Sequence, residues 1–149
     1  LSDTPSTYVG QALKSVRVKN DETGVEFVLE DKTEAIIVPI SDLVTNLSTG
    51  ITKAFFTLPY SFTLSAVKAN LLVTQTAGTA ITFDIYKNGT SILSTKITID
   101  NSETSSLTAS VPPVISTTLL EADSIITIGV TIGTAGAKGG VVTLIGEKS

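Results

Sequence analysis

Two groups of polar side chains in turns are the first candidates for chemistry in this sequence. Asp100, Asn101 and Glu103 stand in one turn, and Glu121 and Asp123 stand in another. Together they could supply the oxygen ligands that calcium prefers, although their spacing does not match an EF-hand loop. Asp and Asn also stabilise turns by bonding to nearby backbone groups, which explains these residues without a metal. We therefore interpret both clusters as solvated turns and expect no metal site.

A carboxylate beside a tyrosine is the second candidate. Asp84 and Tyr86 are two residues apart, so they share one face of a strand. With a second carboxylate such as Glu103, Asp84 could form the acid pair of a glycosidase, but nothing in the sequence places two carboxylates at the required separation. Tyr8, Tyr60 and Tyr86 could stack on sugars, although core or rim packing explains tyrosines equally well. We expect no catalytic residues.

The glycine-rich stretch from Gly129 to Gly140 could in principle cradle a phosphate. It lacks the GxxxxGK[ST] spacing and joins two expected strands, so no helix N-terminus faces an anion there. We interpret it as a flexible structural loop. Two N-glycosylation patterns, at residues 46–48 and 88–90, are interpreted as chance matches, because the second is explained by a hairpin turn.

Composition removes most catalytic chemistry. The 149 residues include no Cys, His, Met or Trp. A histidine base, a thiolate nucleophile and a zinc site built on Cys or His are therefore absent from this sequence. We predict a protein that is not an enzyme and that uses no cofactor.

Charge patterning bounds the partners. The net charge is −4, and residues 1–50 carry eight acidic against four basic side chains. Nucleic-acid binding needs clustered Lys and Arg, and no basic stripe occurs, so we expect no nucleic-acid partner. The longest purely apolar run is four residues, far short of the ~20 that span a bilayer, so we expect no membrane insertion.

The elements that must position these residues begin with an irregular N-terminal region. Residues 1–6 show no periodicity and are expected to form an arm. Alternating apolar and polar residues around 16–18, 25–29 and 35–38 predict three short strands, separated by turn residues, that form a small β-meander. Ser41 is a candidate N-cap before Leu43 and Leu47, which indicates one or two helical turns ending by Gly50.

The rest of the chain alternates more clearly. Ile81, Phe83 and Ile85 mark the buried face of a strand, and Asn88-Gly89 between two alternating runs is a strong signal for a two-residue hairpin. Further strands are expected at 53–58, 62–75, 93–99, 126–132 and 141–145. Short strands with turns every 8–12 residues predict an all-β fold, an antiparallel β-sandwich of jelly-roll-like kind. The expected domains are residues 1–50, for anchoring and trimerisation, and residues 51–149, the β-sandwich.

Two stretches carry a family resemblance. Residues 1–12 (LSDTPSTYVGQA), continued by VRV at 16–18 and GVEF at 24–27, resemble a segment of tail-fibre and other structural proteins of tailed bacteriophages. Residues 81–100 (ITFDIYKNGTSILSTKITID) are similar to a β-sandwich module of phage head-fibre, decoration and tail proteins. The second resemblance extends over most of residues 53–145. It implies a homotrimer on the virion surface, in contact with other capsid or tail proteins, and brings no catalytic residues.

The expected function is therefore that of a non-enzymatic virion structural protein. The chain has no repeated shaft segment, which favours a trimeric capsid decoration, head fibre or short tail fibre, anchored through its N-terminal segment. The alternative is a receptor- or glycan-binding module of a phage tail fibre. That alternative would bind a host-surface glycan through loops at 75–80, 100–110 and 133–140.

Overall fold

The structure is a computed structural model that describes residues 9–11, 14–21, 23–29, 31–75, 77–132 and 136–148. These residues form thirteen strands and one 3-10 turn at Ser106–Thr108, which confirms the all-β fold class. The strands are β1 (Lys14–Val18), β2 (Val25–Leu29), β3 (Thr33–Pro39), β4 (Gly50–Thr57), β5 (Phe62–Asn70), β6 (Ile81–Lys87), β7 (Thr90–Ser91), β8 (Leu93–Thr95), β9 (Ile97–Ile99), β10 (Val114–Ile115), β11 (Leu119–Leu120), β12 (Ile125–Thr131) and β13 (Val141–Lys148). Within these ranges, no helix has the length and apolarity needed to cross a bilayer.

Residue contacts divide the chain into two compact units, Leu1–Lys32 and Thr33–Ser149. In the first unit, β1 and β2 pair antiparallel, with Val16 opposite Phe27 and Val18 opposite Val25. Asp21 holds the turn between them, because its carboxylate accepts hydrogen bonds from the backbone and side chain of Thr23. The N-terminal arm expected at residues 1–6 lies outside the described residues.

The second unit is an antiparallel β-sandwich. One sheet has the strand order β11-β5-β13-β3, and the other has the order β4-β12-β6-β7, with β9 also paired to β6. The longer strands from β3 to β6 alternate between the two sheets, as do β11, β12 and β13. A short pair, β8 and β10, lies outside both sheets.

Alternating side chains of both sheets form one hydrophobic core. Phe83 in the second sheet and Phe62, Val67 and Leu144 in the first belong to the same buried cluster. The buried positions Ile81, Phe83 and Ile85 are those that the period-two pattern predicts.

The third N-terminal strand does not join a meander. Residues 35–38 were expected to join the two strands before them, but β3 pairs with β13 along its length, from Thr33 opposite Glu147 to Pro39 opposite Val141. The sandwich unit consequently begins at Thr33, well before residue 51. Pairing with a central strand provides β3 with more backbone hydrogen bonds and burial than a two-stranded hairpin could offer.

The helical turn expected after Ser41 is wrong. Residues 41–49 contain no helix, and Asp42 organises the segment instead. Its carboxylate accepts hydrogen bonds from the backbone N–H groups of Val44 and Thr45 and from the Thr45 hydroxyl. These bonds lower the pKa of the Asp42 carboxyl below its ordinary value. Bonds to the N–H groups two and three residues on also occur at a helix N-cap, but here the residues that follow form a turn and no helix.

The Asn88-Gly89 hairpin is confirmed. Both residues have positive φ, 49° at Asn88 and 84° at Gly89, as the two central residues of a type I′ turn require. The Asn88 side chain also accepts a hydrogen bond from the backbone N–H of Ile125, at 2.9 Å, which ties the turn to β12.

Substituting Asn88→Ala removes both contributions. We expect a loss of about 2 kcal/mol in the free energy of unfolding, from a left-handed backbone that Ala tolerates poorly and from the missing acceptor. Urea denaturation followed by circular dichroism measures this. Asn88→Asp retains an acceptor oxygen and tolerates positive φ, so it should lose much less, and equal losses in the two variants would contradict the assignment.

Candidate functional site

The acidic turns singled out in the sequence are occupied by local bonds. Asp100 accepts a hydrogen bond from the backbone N–H of Ser110 at 2.8 Å, and Glu103 accepts one from the Thr108 hydroxyl. Glu121 forms an ion pair with Lys87, which lowers the pKa of the Glu121 carboxyl. Among the described residues, no three Asp, Glu, His or Cys side chains are grouped to hold a metal ion.

The glycine-rich stretch is only partly described, since residues 133–135 lie outside the described ranges. The part that follows is fixed to the sandwich, which differs from the flexible loop expected. The Ala137 carbonyl accepts a hydrogen bond from Leu47 N at 2.7 Å, and Lys138 pairs with Val73. Gly139 has a positive φ of 64°, and a Cβ there would lie 2.6 Å from Leu72 Cβ. Glycine at position 139 therefore permits close packing against Leu72.

Of the three tyrosines, Tyr60 contacts charged side chains of its own chain. Tyr8 lies outside the described residues. Tyr60 donates its hydroxyl proton to Glu34 at 2.8 Å, and Lys148 lies 4.5 Å from its ring centroid. That hydrogen bond raises the pKa of the Tyr60 phenol above its ordinary value.

Asp84 is a nearly buried carboxylate on the outer face of the second sheet. The residue is only 6% exposed, although Thr82 and Tyr86 on the same face are half-buried. Asp84 Oδ1 accepts hydrogen bonds from the Ser91 hydroxyl at 2.7 Å and from the Ile85 backbone N–H at 2.9 Å. The structure thus places Asp84 among hydrogen-bond donors.

Lys96 provides the charge that balances Asp84. The Lys96 ammonium lies 3.4 Å from Asp84 Oδ2, and half of its side-chain surface remains exposed. The second carboxylate of a glycosidase pair, considered at Glu103, does not line the cavity beside Asp84.

The path of the chain explains how Lys96 reaches Asp84. The β6–β7 hairpin places Ser91 opposite Tyr86, and β9 resumes pairing with Ile97 opposite Phe83. Between these points the chain leaves the sheet, and β8 pairs with β10 instead. Lys96 is the residue at which the chain returns. The Asn-Gly signal could have located Ser91, but the sequence carried no signal for the excursion that positions Lys96.

Gly129 opens a groove beside this cluster. It lies opposite Asp84 on β12, and a Cβ there would lie 3.3 Å from Tyr86 Cε2 and 3.0 Å from the Ile51 carbonyl oxygen. The pairing of β4 with β12 is irregular at this point, and Ile51 is highly exposed. We call the surface formed by Ile51, Asp84, Tyr86, Lys96 and Gly129 the Asp84 groove.

Two adjoining cavities make up the groove. One of about 200 Å³ is lined by Ile51, Thr52, Tyr86, Gly89 and Thr127. The other, of about 80 Å³, reaches Asp84 and Lys96.

An exposed aromatic ring lies on the same face as the groove. Phe55 on β4 is opposite Thr127, and Thr127 is opposite Tyr86, so the three side chains form one row across the sheet. Phe55 is 72% exposed. Since neighbouring strands are about 4.8 Å apart, the backbones that carry the two aromatic rings are separated by about 10 Å.

The environment of Tyr86 gives a testable pH dependence. Burial, and then the nearby Asp84 charge, raise the pKa of the Tyr86 phenol above its ordinary value near 10. The stabilisation linked to the protonated phenol is complete below that ordinary pKa and is lost as pH rises through the higher folded pKa. Ultraviolet titration of the wild type minus Tyr86→Phe isolates this phenol. Asp84→Asn should lower its pKa, and an unchanged titration would contradict the charge contact.

The outer face of the first sheet has a different character. Across β3, β13 and β5, it presents the row Ile37–Thr143–Lys68 and the row Ala35–Ile145–Ala66. Ile37, on the edge strand β3, is 66% exposed. This face therefore mixes apolar and polar side chains, whereas the opposite face of the sandwich carries the Asp84 groove.

No family model matches the chain, and no curated protein matches it. Among solved structures, the chain is similar to a chain in the structure of infectious bursal disease virus, Gx strain, with a TM-score of 0.34 and 15% sequence identity. The similar region covers 87% of this chain and 36% of that chain, so this chain spans about a third of its length.

Proposed function

We propose that this protein is a non-enzymatic structural protein of a bacteriophage virion, located at the particle surface. Its finer description is a trimeric capsid decoration, head fibre or short tail fibre that other virion proteins hold through its N-terminal unit. The observation that carries the proposal is the exposed apolar face of the β1–β2 hairpin. Val16, Val18 and Leu29 on that face are 57%, 62% and 67% exposed.

A two-stranded hairpin with an exposed apolar face is stabilised when that face packs against a partner. Two strands alone are marginally stable in water, and clustered exposed apolar side chains mark interaction sites. The opposite hairpin face is polar at Arg17 and Glu26, which form an ion pair at 2.9 Å. The hairpin is therefore amphipathic, as expected of a segment that packs one face onto another protein. The resemblance of residues 1–27 to virion proteins supports the same role.

The outer face of the first sheet supports the expectation of self-association. It carries Ile37 on β3, which is the edge strand of this sheet within the described residues, and an edge strand is where another chain can add by pairing. Burial of such a face between symmetry-related copies stabilises an oligomer without any bond being made or broken. A homotrimer is the state that the family resemblance implies.

Native mass spectrometry and antibody labelling of purified particles test the proposal. The wild type should be trimeric and accessible on the particle surface. The double variant Val16→Lys/Val18→Lys places charges on the apolar hairpin face and should lose particle incorporation. Arg17→Gln, on the opposite face, is the matched control and should be incorporated normally, since an exposed ion pair contributes little. A monomeric protein absent from particles would overturn the proposal.

The alternative of glycan binding through loops stays a prediction. Residues 76 and 133–135 of those loops lie outside the described residues. In the loop at 100–110, Asp100 and Glu103 are bonded within the loop itself.

A further inference from the structure

We propose that the outer face of the second sheet binds a neutral oligosaccharide, with one sugar in the Asp84 groove and another on Phe55. This inference is independent of the virion role proposed above. It also differs in place from loop-mediated binding, because strands rather than loops carry the contact residues.

Two aromatic residues lie at and beside the groove. Phe55 and Tyr86 lie on one face of one sheet, with Thr127 between them. Sugar rings present C–H groups on their faces, and these pack against the negative face of an aromatic ring. A separation of about 10 Å between the backbones allows rings of one chain of sugars to contact both aromatics. Phe55 is 72% exposed, so most of its surface is accessible to a ligand.

The charged side chains of the groove balance each other. Asp84 and Lys96 have opposite charges 3.4 Å apart, so an anionic or cationic ligand gains no net attraction from the pair. Hydroxyl groups both donate and accept, and they can bond to a carboxylate and to an ammonium at once. Lys96 retains half of its side-chain surface for such contacts. A neutral polyhydroxylated ligand fits these groups best.

Threonine side chains lie next to the groove on the same face of the sheet. The row next to Asp84 runs Thr131–Thr82–Thr98 across β12, β6 and β9. Threonine hydroxyls supply hydrogen-bonding partners at a fixed spacing along a rigid sheet. These hydroxyls can both donate to and accept from the hydroxyl groups of a sugar.

The groove is open because residue 129 is a glycine. Any side chain there would meet the Ile51 backbone and the Tyr86 ring and would close the groove between them. Gly129 lies opposite Asp84 and lines the smaller cavity together with Asp84 and Lys96. The groove thus depends on one residue without a side chain.

Saturation-transfer NMR and chemical-shift titration of the full chain test the proposal. The probes are cellotriose, maltotriose and the trisaccharide of N-acetylglucosamine, each at millimolar concentration. At least one should bind and shift the resonances of Phe55, Tyr86 and Thr127. Phe55→Ala should weaken that binding at least about fivefold, since aromatic contacts of this kind contribute about 1 kcal/mol. Ile37→Ala, an equally exposed apolar residue on the opposite face, should leave binding unchanged.

A second variant tests the charged part of the groove. Lys96→Met retains the aliphatic stem but leaves Asp84 without its counter-charge, so the affinity for the neutral probe should fall severalfold. Failure of all three sugars to bind would overturn the proposal, as would equal losses in Phe55→Ala and Ile37→Ala. A lower oligomer mass in Phe55→Ala would also overturn it, because the face would then lie between copies. None of these results changes the hairpin test of the virion role.

Discussion

Substituting Phe83→Ala is expected to lower the free energy of unfolding by about 3–5 kcal/mol. The Phe83 side chain is fully buried, and the residue lies in the middle strand of the second sheet, opposite both Val130 and Ile97. Its removal loses the transfer free energy of the ring and leaves a cavity that two rigid sheets cannot close. Because domains of this size are stable by only about 5–15 kcal/mol, the transition should shift markedly in urea.

The same substitution at Phe55 is the matched control. Phe55 is on the outer face, so Phe55→Ala should change the free energy of unfolding by no more than about 0.5 kcal/mol. Comparable losses at the two positions would show that the second sheet has been assigned the wrong inner face.

Gly146→Ala should be the most damaging single-carbon addition described here. The new Cβ would overlap the Thr63 carbonyl oxygen and lie 2.8 Å from Phe62 Cε1. The overlapping atom belongs to the backbone of β5, which is paired on both sides and cannot move without breaking its hydrogen bonds. We expect a loss of about 3 kcal/mol, at the upper end of what overpacking costs. Thermal and urea unfolding measure it directly.

Gly140→Ala provides the comparison for this prediction. A Cβ at Gly140 would contact Leu47 and Ile40 at 3.5 Å and beyond, which is ordinary packing distance. The variant should be close to neutral. If Gly146→Ala were equally neutral, the irregular pairing of β13 with β5 at Ile145 and Gly146 would be contradicted.

The sequence was informative where the relevant physics is local. The buried face of β6 followed from the alternation of Ile81, Phe83 and Ile85, because side chains of a strand point to opposite sides in turn. The hairpin after β6 followed from Asn88-Gly89, because few residues accept positive φ. Both predictions concern neighbours along the chain, and both are confirmed.

The sequence was uninformative about which segments, distant along the chain, pair or pack with each other. A period-two pattern around Ala35 shows that a strand has two faces, but it does not show which strand lies beside it. The preceding strands were the nearest candidates, whereas β13 is the actual partner. The spacing of Leu43 and Leu47 fitted a helix, yet residues 41–49 contain none, and Leu47 is buried whereas Leu43 is exposed.

The candidate site shows the same division. The sequence placed Asp84 and Tyr86 together on an outer face, which the structure confirms. It could not place Lys96 beside Asp84, because that contact depends on β8 leaving the sheet to pair with β10. It also could not show the role of Gly129, which follows from the cross-strand register of β12 and β6.

The position of β13 between β5 and β3 has a consequence for protein synthesis. Because β13 is made after both of its neighbours, β3 and β5 emerge from the ribosome before the strand that pairs with both of them has been synthesised. Until β13 is made, the backbone N–H and C=O groups of β3 and β5 that pair with it have no partner there. Exposed strand edges of this kind favour aggregation of nascent chains. Slower translation would prolong this interval and should therefore lower the soluble yield of recombinant protein.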